Sequence, residues 1–303
     1  MKGRYVTVDV FTDRQFGGNQ LAVIPDARHL SPAHMQSIAN EFNFAETTFV
    51  LPPKNTANTA NVRIFTPRAE MPFAGHPNVG TAYVLAQAGN CLGVPISGQH
   101  LTFEEHAGLV PMEIIREDGS VVGARLDAPQ KLAIGAYVAP DLVAAAASLP
   151  ADAIISRLHP PLVASCGAAF IFAEVASKDA LWQARPNMTV FEQSFPREQH
   201  TGIHLYTRVT EAGVDLQTRM FAPLHGVIED AATGSANVAL GALLAHFSPE
   251  PNLDLSVSIA QGVAMGRPSL LTATARKSNS TVVKASIGGT CVPVMTGEIK
   301  LAE

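Results

Sequence analysis

Two stretches set small polar residues at the start of an apolar run. They are FAGHPNVG at 73–80 and ATGSANVA at 232–239, and both contain G-x-x-N-V, at Gly75 and Gly234. Gly75, His76 and Asn78 surround one start; Thr233, Gly234 and Ser235 surround the other. Free backbone N–H groups at a helix start, with the helix dipole behind them, bind carboxylate or phosphate. Glycine lets a ligand approach that backbone closely. Two such ends facing one cleft would clamp an anion. The competing reading is simple capping, since Ser, Thr and Asn at helix starts usually satisfy the first turn and do nothing else. One copy alone reads as a cap. Two copies, with His76 in one and Asp230 just ahead of the other, read as a site.

Proton chemistry needs a carrier. Glu46 lies in FNFAETTFVLP, a carboxylate entering an apolar, β-branched strand. Apolar walls raise a carboxyl pKa and let it exchange protons near neutrality; a strand-edge or surface glutamate is the plainer alternative. Asp9 in TVDVFT invites the same thought, against hydrogen bonding to a neighbouring turn. Cys166 in VASCGAAF has the outline of a nucleophile but reads as a small buried core residue. Ten histidines include His29/His34 and His100/His106, and no spacing matches a zinc site. There is no G-x-G-x-x-G, Walker loop or G-x-S-x-G.

The elements that must position these residues are legible in outline. PNVGTAYVLAQAG (77–89) carries no charge, and SANVALGALLAHF (235–247) none apart from His246 if protonated. Pro77 suits the first helical position. A helix apolar all round must be buried all round, so strands have to wrap each one. Arg63-Ile64-Phe65-Thr66-Pro67 reappears as Arg219-Met220-Phe221-Ala222-Pro223, and each block precedes one of these helices. That echo predicts two similar domains, each a strongly curved sheet folded about a central helix. The runs RYVTVDVF, TTFVL, NVRIF, LVPMEII, AAFIFAEV, IHLYTRV and VDLQTRMF read as strands. Ser31 and Pro32 open a helix over 31–42, a second helix begins after Pro140, and EDGS at 117–120 reads as a hairpin turn. VVKASIGGTCVPVMTGEIKL reads as strands with Gly-rich turns. A boundary falls near DAPQ, giving domains 1–130 and 131–290.

Composition bounds the rest. The 303 residues are 47% hydrophobic and 16% charged, which suits large cores and argues against disorder. A net charge of −5 provides no electrostatic footprint for nucleic acid or an anionic membrane surface. Three scattered cysteines form no disulfide framework, and neither a signal peptide nor a membrane span is visible, so a cytoplasmic protein is expected.

VDVFT, FGGNQLAVI, FAETTFV, RIFTP, MPFAGHPNVGTA, RMFAP, EDAATGSANVAL and QGVAMGRPSLL together resemble the phenazine-biosynthesis PhzF-like proteins of the diaminopimelate-epimerase fold superfamily. The resemblance runs in order from about residue 7 to the end. It implies two pseudo-symmetric α/β domains, each a curved, largely antiparallel sheet around one buried helix, with the site in the cleft between them. It implies that segment 291–303 returns to the first domain and that the protein is a homodimer. Glu46 matches the family's catalytic glutamate. His76, Asp230 and Ser235 match its polar site residues, and Gly75 and Gly234 match positions whose amides receive a substrate carboxylate. The type member isomerises trans-2,3-dihydro-3-hydroxyanthranilic acid without a cofactor or metal. In the epimerase branch two cysteines exchange protons; Ala74 and Thr233 stand in their places here, which excludes a two-thiol racemase. Asn78 stands where threonine is frequent and Ala231 where proline is frequent.

The expected function is a cofactor-independent isomerase of a small carboxylate-bearing substrate, with Glu46 moving the proton. A racemase, epimerase or dehydratase using Glu46 and Asp230 is the second reading. A non-catalytic carboxylate-binding protein is the third.

Overall fold

The computed structural model describes residues 2–196 and 199–300. The chain divides into two units, Met1–Asp127 with Gly288–Glu303, and Ala128–Ile287.

The first unit contains β1 (Lys2–Val10), β2 (Asn19–Ile24), α1 (Pro32–Phe42), β3 (Glu46–Leu51), β4 (Ala60–Phe65), β5 (Glu70–Met71), α2 (Gly75–Ala88), the short pair β6 (Asn90–Cys91) and β7 (Val94–Pro95), β8 (His100–Glu105), β9 (Gly108–Glu117) and β10 (Ser120–Asp127). β1–β2 and β3–β4 are antiparallel, β2–β3 and β4–β8 parallel, and β8–β9 and β9–β10 antiparallel. The last strand of the chain pairs with both β10 and β1, so the succession returns to its start around α2. Twelve of the fourteen residues of α2 are buried, as a helix without a polar face requires. The sheet comes so close that a Cβ on Gly80 would lie 2.6 Å from Leu21 Cδ2. On the outer face, Met35, Ile38 and Ala39 of α1 pack on Ile24, Phe49 and Phe65. Ser31 caps α1 by accepting from the His34 N–H at 3.2 Å, and Pro32 follows it. The β9–β10 turn uses positive φ at Asp118 (48°) and Gly119 (80°), the twist a tight hairpin needs.

The second unit contains β11 (Ala133–Tyr137), α3 (Pro140–Ala146), β12 (Ile154–Ile155), β13 (Leu162–Ser165), β14 (Ala169–Val175), α4 (Lys178–Gln183), α5 (Met188–Ser194), β15 (Gly202–Glu211), β16 (Val214–Ala222), β17 (Val227–Asp230), α6 (Gly234–Phe247), β18 (Leu253–Gln261) and β19 (Ser269–Ser278). Its sheet repeats the first: β13–β14 antiparallel, β14–β15 parallel, β15–β16 antiparallel, β16–β18 parallel, β18–β19 antiparallel. Eleven of the fourteen residues of α6 are buried. The sequence echo has a physical counterpart in each unit. Arg63 lies 5.1 Å from the Phe65 ring centroid and binds Glu70 through two bonds of 2.7 and 2.6 Å. Arg219 lies 4.9 Å from the Phe221 centroid and binds Glu229 at 2.8 and 2.7 Å.

The C-terminal stretch departs from expectation. In place of strands with Gly-rich turns it forms one twenty-residue strand, β20 (Thr281–Lys300). Its glycines are there for close approach: a Cβ on Gly123 of β10 would fall 2.0 Å from the Gly289 carbonyl oxygen, and one on Gly288 would fall 2.9 Å from Arg125 Cβ. Pro293 sits where the β1–β20 register shifts, between Thr7 and Val8, a place where a missing N–H is tolerated. Among the described residues no helix is long and apolar enough to cross a membrane. Cys91, Cys166 and Cys291 are free and buried.

Candidate active site

The residues singled out from sequence gather into one cluster in each unit. In β3, alternate side chains face α2: Thr48 Oγ1 meets Thr81 Oγ1 at 2.8 Å, and two residues earlier Glu46 meets His76. Glu46 Oε2 lies 3.5 Å from His76 Nε2. This is a long contact between charge-bearing groups, and Nε2 itself completes no hydrogen bond although it is buried. On the far side of the ring, Asn19 Nδ2 lies 3.3 Å from Nδ1. Burial drives the His76 pKa down to about 3, the Gln20 backbone working the other way, so the ring is neutral. A neutral ring places no imidazolium charge beside Glu46.

Gly75 and His76 are the first residues of α2, and both are buried. Its N-cap residue is Ala74, which has no side-chain hydrogen bond to offer. In the second unit Asp230 ends β17, and Gly234 and Ser235 open α6. Thr233 occupies the N-cap position but does not cap; its hydroxyl donates to Asp230 Oδ2 at 2.7 Å. Simple side-chain capping is therefore not what these polar residues do in either copy. The shared asparagine has a different job: Asn78 Nδ2 donates to the Ala74 carbonyl at 3.0 Å, and Asn237 Nδ2 to the Thr233 carbonyl at 3.1 Å. Each ties the first helical turn to the residue that precedes it. Asp9 accepts the Phe16 N–H at 2.7 Å, the turn-binding role weighed for it. Cys166 is buried, with its thiol pushed up to about 12 by burial, which makes it no nucleophile.

Three residues around these clusters escaped the sequence reading. Asn19, Gln261 and Glu105 lie against site residues or helix starts, but their partners are far away in sequence. Gln261 and Asn19 both lie within quoted motifs, which was the available signal.

The first unit thus sets a glutamate of β3 against a histidine at the start of its sheet-wrapped helix. The family model "Phenazine biosynthesis-like protein" (PhzC-PhzF) matches residues 8–297. A trans-2,3-dihydro-3-hydroxyanthranilate isomerase of Pseudomonas fluorescens is 36% identical over 98% of this chain and 99% of its own length. The crystal structure of a PhzF-family phenazine biosynthesis protein from Bacillus anthracis superposes with a TM-score of 0.88 at 24% identity, covering 99% of this chain and all of that one. A hydroxyproline epimerase from Agrobacterium vitis shares the fold, with a TM-score of 0.64 at 12% identity over 98% of this chain and 92% of that one. The chain belongs to the PhzC-PhzF family, has the diaminopimelate-epimerase-like fold, and is an isomerase. Relatives named as isomerases along nearly the whole chain favour the catalytic readings over the non-catalytic one.

Proposed function

We propose that this isomerase moves one proton within a small carboxylate-bearing substrate, using Glu46 as the carrier and no cofactor. The observation that carries the reading is the Glu46–His76 contact of 3.5 Å, beside an uncapped helix start. Glu46 takes a proton from one carbon of a cyclic or unsaturated substrate as carboxylate and returns it to another carbon as carboxylic acid. One C–H bond breaks, one forms, and the electrons shift along the conjugated system. His76 orients Glu46 and a polar substituent. The amides of Gly75 and Gly234, with Ser235, receive the substrate carboxylate, and Asp230 accepts a hydrogen bond from the substrate. The family resemblance supports assembling the enzyme as a cytoplasmic homodimer.

The substrate of choice for a test is trans-2,3-dihydro-3-hydroxyanthranilate, the compound in the name of the Pseudomonas relative. Glu46→Gln keeps the side chain's shape and removes its basicity, so turnover should fall by about 100-fold or more. Thermal stability and binding of 3-hydroxyanthranilate should be little changed. Near wild-type turnover in that variant would remove Glu46 from the mechanism. A racemase or epimerase using Glu46 and Asp230 as two bases remains the second reading, favoured by the fold shared with the hydroxyproline epimerase. Turnover in D2O separates them: exchange with solvent at a retained stereocentre marks two bases, and internal transfer of the substrate's own hydrogen marks one.

A further inference from the structure

Gln261, the last residue of β18, is fully buried, and both ends of its amide hold the segment between β17 and α6. Its Oε1 accepts from the Thr233 backbone N–H at 3.2 Å and from Asn237 Nδ2 at 2.7 Å. Its Nε2 donates to the Asp230 carbonyl at 2.9 Å and to Thr233 Oγ1 at 2.9 Å. The partners settle which way this amide points, because a backbone N–H only donates and a carbonyl only accepts. Thr233 Oγ1, receiving from Gln261, directs its own proton to Asp230 Oδ2, 2.7 Å away. The donors run one way, from Gln261 to Thr233 to the Asp230 carboxylate.

The surroundings leave this chain little freedom. His204 Nε2 meets Asn237 Oδ1 at 3.0 Å. Burial lowers the His204 pKa to about 4, so the ring is neutral, and its N–H turns the Asn237 amide nitrogen toward Gln261. Ser269 Oγ donates to the Ala231 carbonyl at 2.9 Å, and a Cβ on Gly262 would lie 2.6 Å from that same oxygen. The segment 230–233 is gripped from β18 and β19 at several points, and the Gln261 side chain reaches both Asp230 and Thr233.

We propose that Gln261 is a positioning residue for the isomerisation, holding the Asp230 carboxylate in its working orientation through the Thr233 hydroxyl. The inference rests on Asp230 belonging to the substrate site, as proposed above.

The test compares Gln261→Glu, Thr233→Val, Thr233→Ser and Asp230→Asn by steady-state kinetics on trans-2,3-dihydro-3-hydroxyanthranilate. Gln261→Glu keeps the shape and replaces the donor facing Thr233 with an acceptor; Thr233→Val keeps the volume and removes the hydroxyl. Each should lower kcat/KM by about 10–100-fold, the range expected for a misplaced site group. Thr233→Ser should recover most of what Thr233→Val loses. Thr233→Val added to Asp230→Asn should cost little more than Asp230→Asn alone, because both act on one carboxylate. An impaired Asp230→Asn beside wild-type kinetics in Gln261→Glu and Thr233→Val would overturn the inference and leave the proposed site standing. An unimpaired Asp230→Asn would instead take Asp230 out of the site, and the inference with it. A crystal structure of Gln261→Met gives a readout without substrate: an Asp230 side chain turned from Thr233 supports the positioning role, and an unmoved one overturns it.

Discussion

Asn78 and Asn237 make the same bond with their nitrogens, and their oxygens then expose a difference between the two units. Asn237 Oδ1 has the His204 N–H. Asn78 Oδ1 is buried without a hydrogen bond, and so are both oxygens of Glu105. Burial raises the Glu105 pKa from 4.5 to about 8; the Asn78 amide beside it pulls the other way. Burial is the larger effect, so the protonated, uncharged carboxyl is the form this place favours below about 8. Linkage then fixes a sign. Between pH 4.5 and about 8 the folded protein holds a proton on Glu105 that the unfolded chain has released. This contribution is fully present below pH 4.5 and is lost as pH rises through about 8. Glu105→Gln keeps an uncharged side chain of the same shape there and does not titrate. In urea unfolding at pH 5, 6.5 and 8, the variant should match the wild type at pH 5 and become progressively more stable than it toward pH 8. Parallel pH profiles would refute a protonated Glu105.

At the scale of the elements, each apolar helix carries a glycine where the sheet presses against it. A Cβ on Gly241 of α6 would fall 2.9 Å from the Ala273 Cβ on β19. Helix propensity alone would reward Gly241→Ala by about 1 kcal/mol. Ala273 has no rotamer to move, so β19 itself must shift, and overpacking of a buried face costs about 1–3 kcal/mol. The second effect is the larger, and Gly241→Ala should lower unfolding free energy in chemical denaturation; a gain in stability would show that β19 yields freely. Gly80 of α2 is closed in likewise, by Leu21 Cδ2 at 2.6 Å and Val10 Cγ2 at 2.8 Å from a Cβ placed there. The same physics decides what could be read from sequence. Helices α2 and α6 were legible because a charge-free stretch longer than ten residues has few other fates, and α1 because Ser31 and Pro32 announce it. The Glu46–His76 pair was legible only as two candidates, since nothing local brings β3 to the start of α2. Gln261 and Glu105 were not legible as functional or titrating groups: a glutamine after a strand and the second glutamate of EEH look like ordinary surface residues until burial is known. Gly288, Gly289 and Pro293 misled because the residue types that make turns also permit close packing and register shifts inside a strand.

On the scale of the whole chain, β20 is the element both units use. Residues 281–287 belong to the second unit and 288 onward to the first. Without the latter, β1 and β10 of the first unit lose a neighbour, and the ring of strands around α2 opens at that point. An all-apolar helix then faces a gap, and two strand edges are left unpaired. A fragment of residues 2–127 should therefore fail to unfold cooperatively and should bind hydrophobic dyes. Pairing geometry also says how to repair it. β20 runs antiparallel to β1, with Lys300 opposite Lys2, so the two ends are neighbours. A loop of about two to five residues is enough to join strands placed this way. A chain ordered 288–300, short Asn-Gly loop, 2–127 should recover a single cooperative urea transition and protected amides in α2. Equal cooperativity in the unrepaired fragment would show that the first unit does not need β20; failure of the repaired chain would show that it needs the second unit as well.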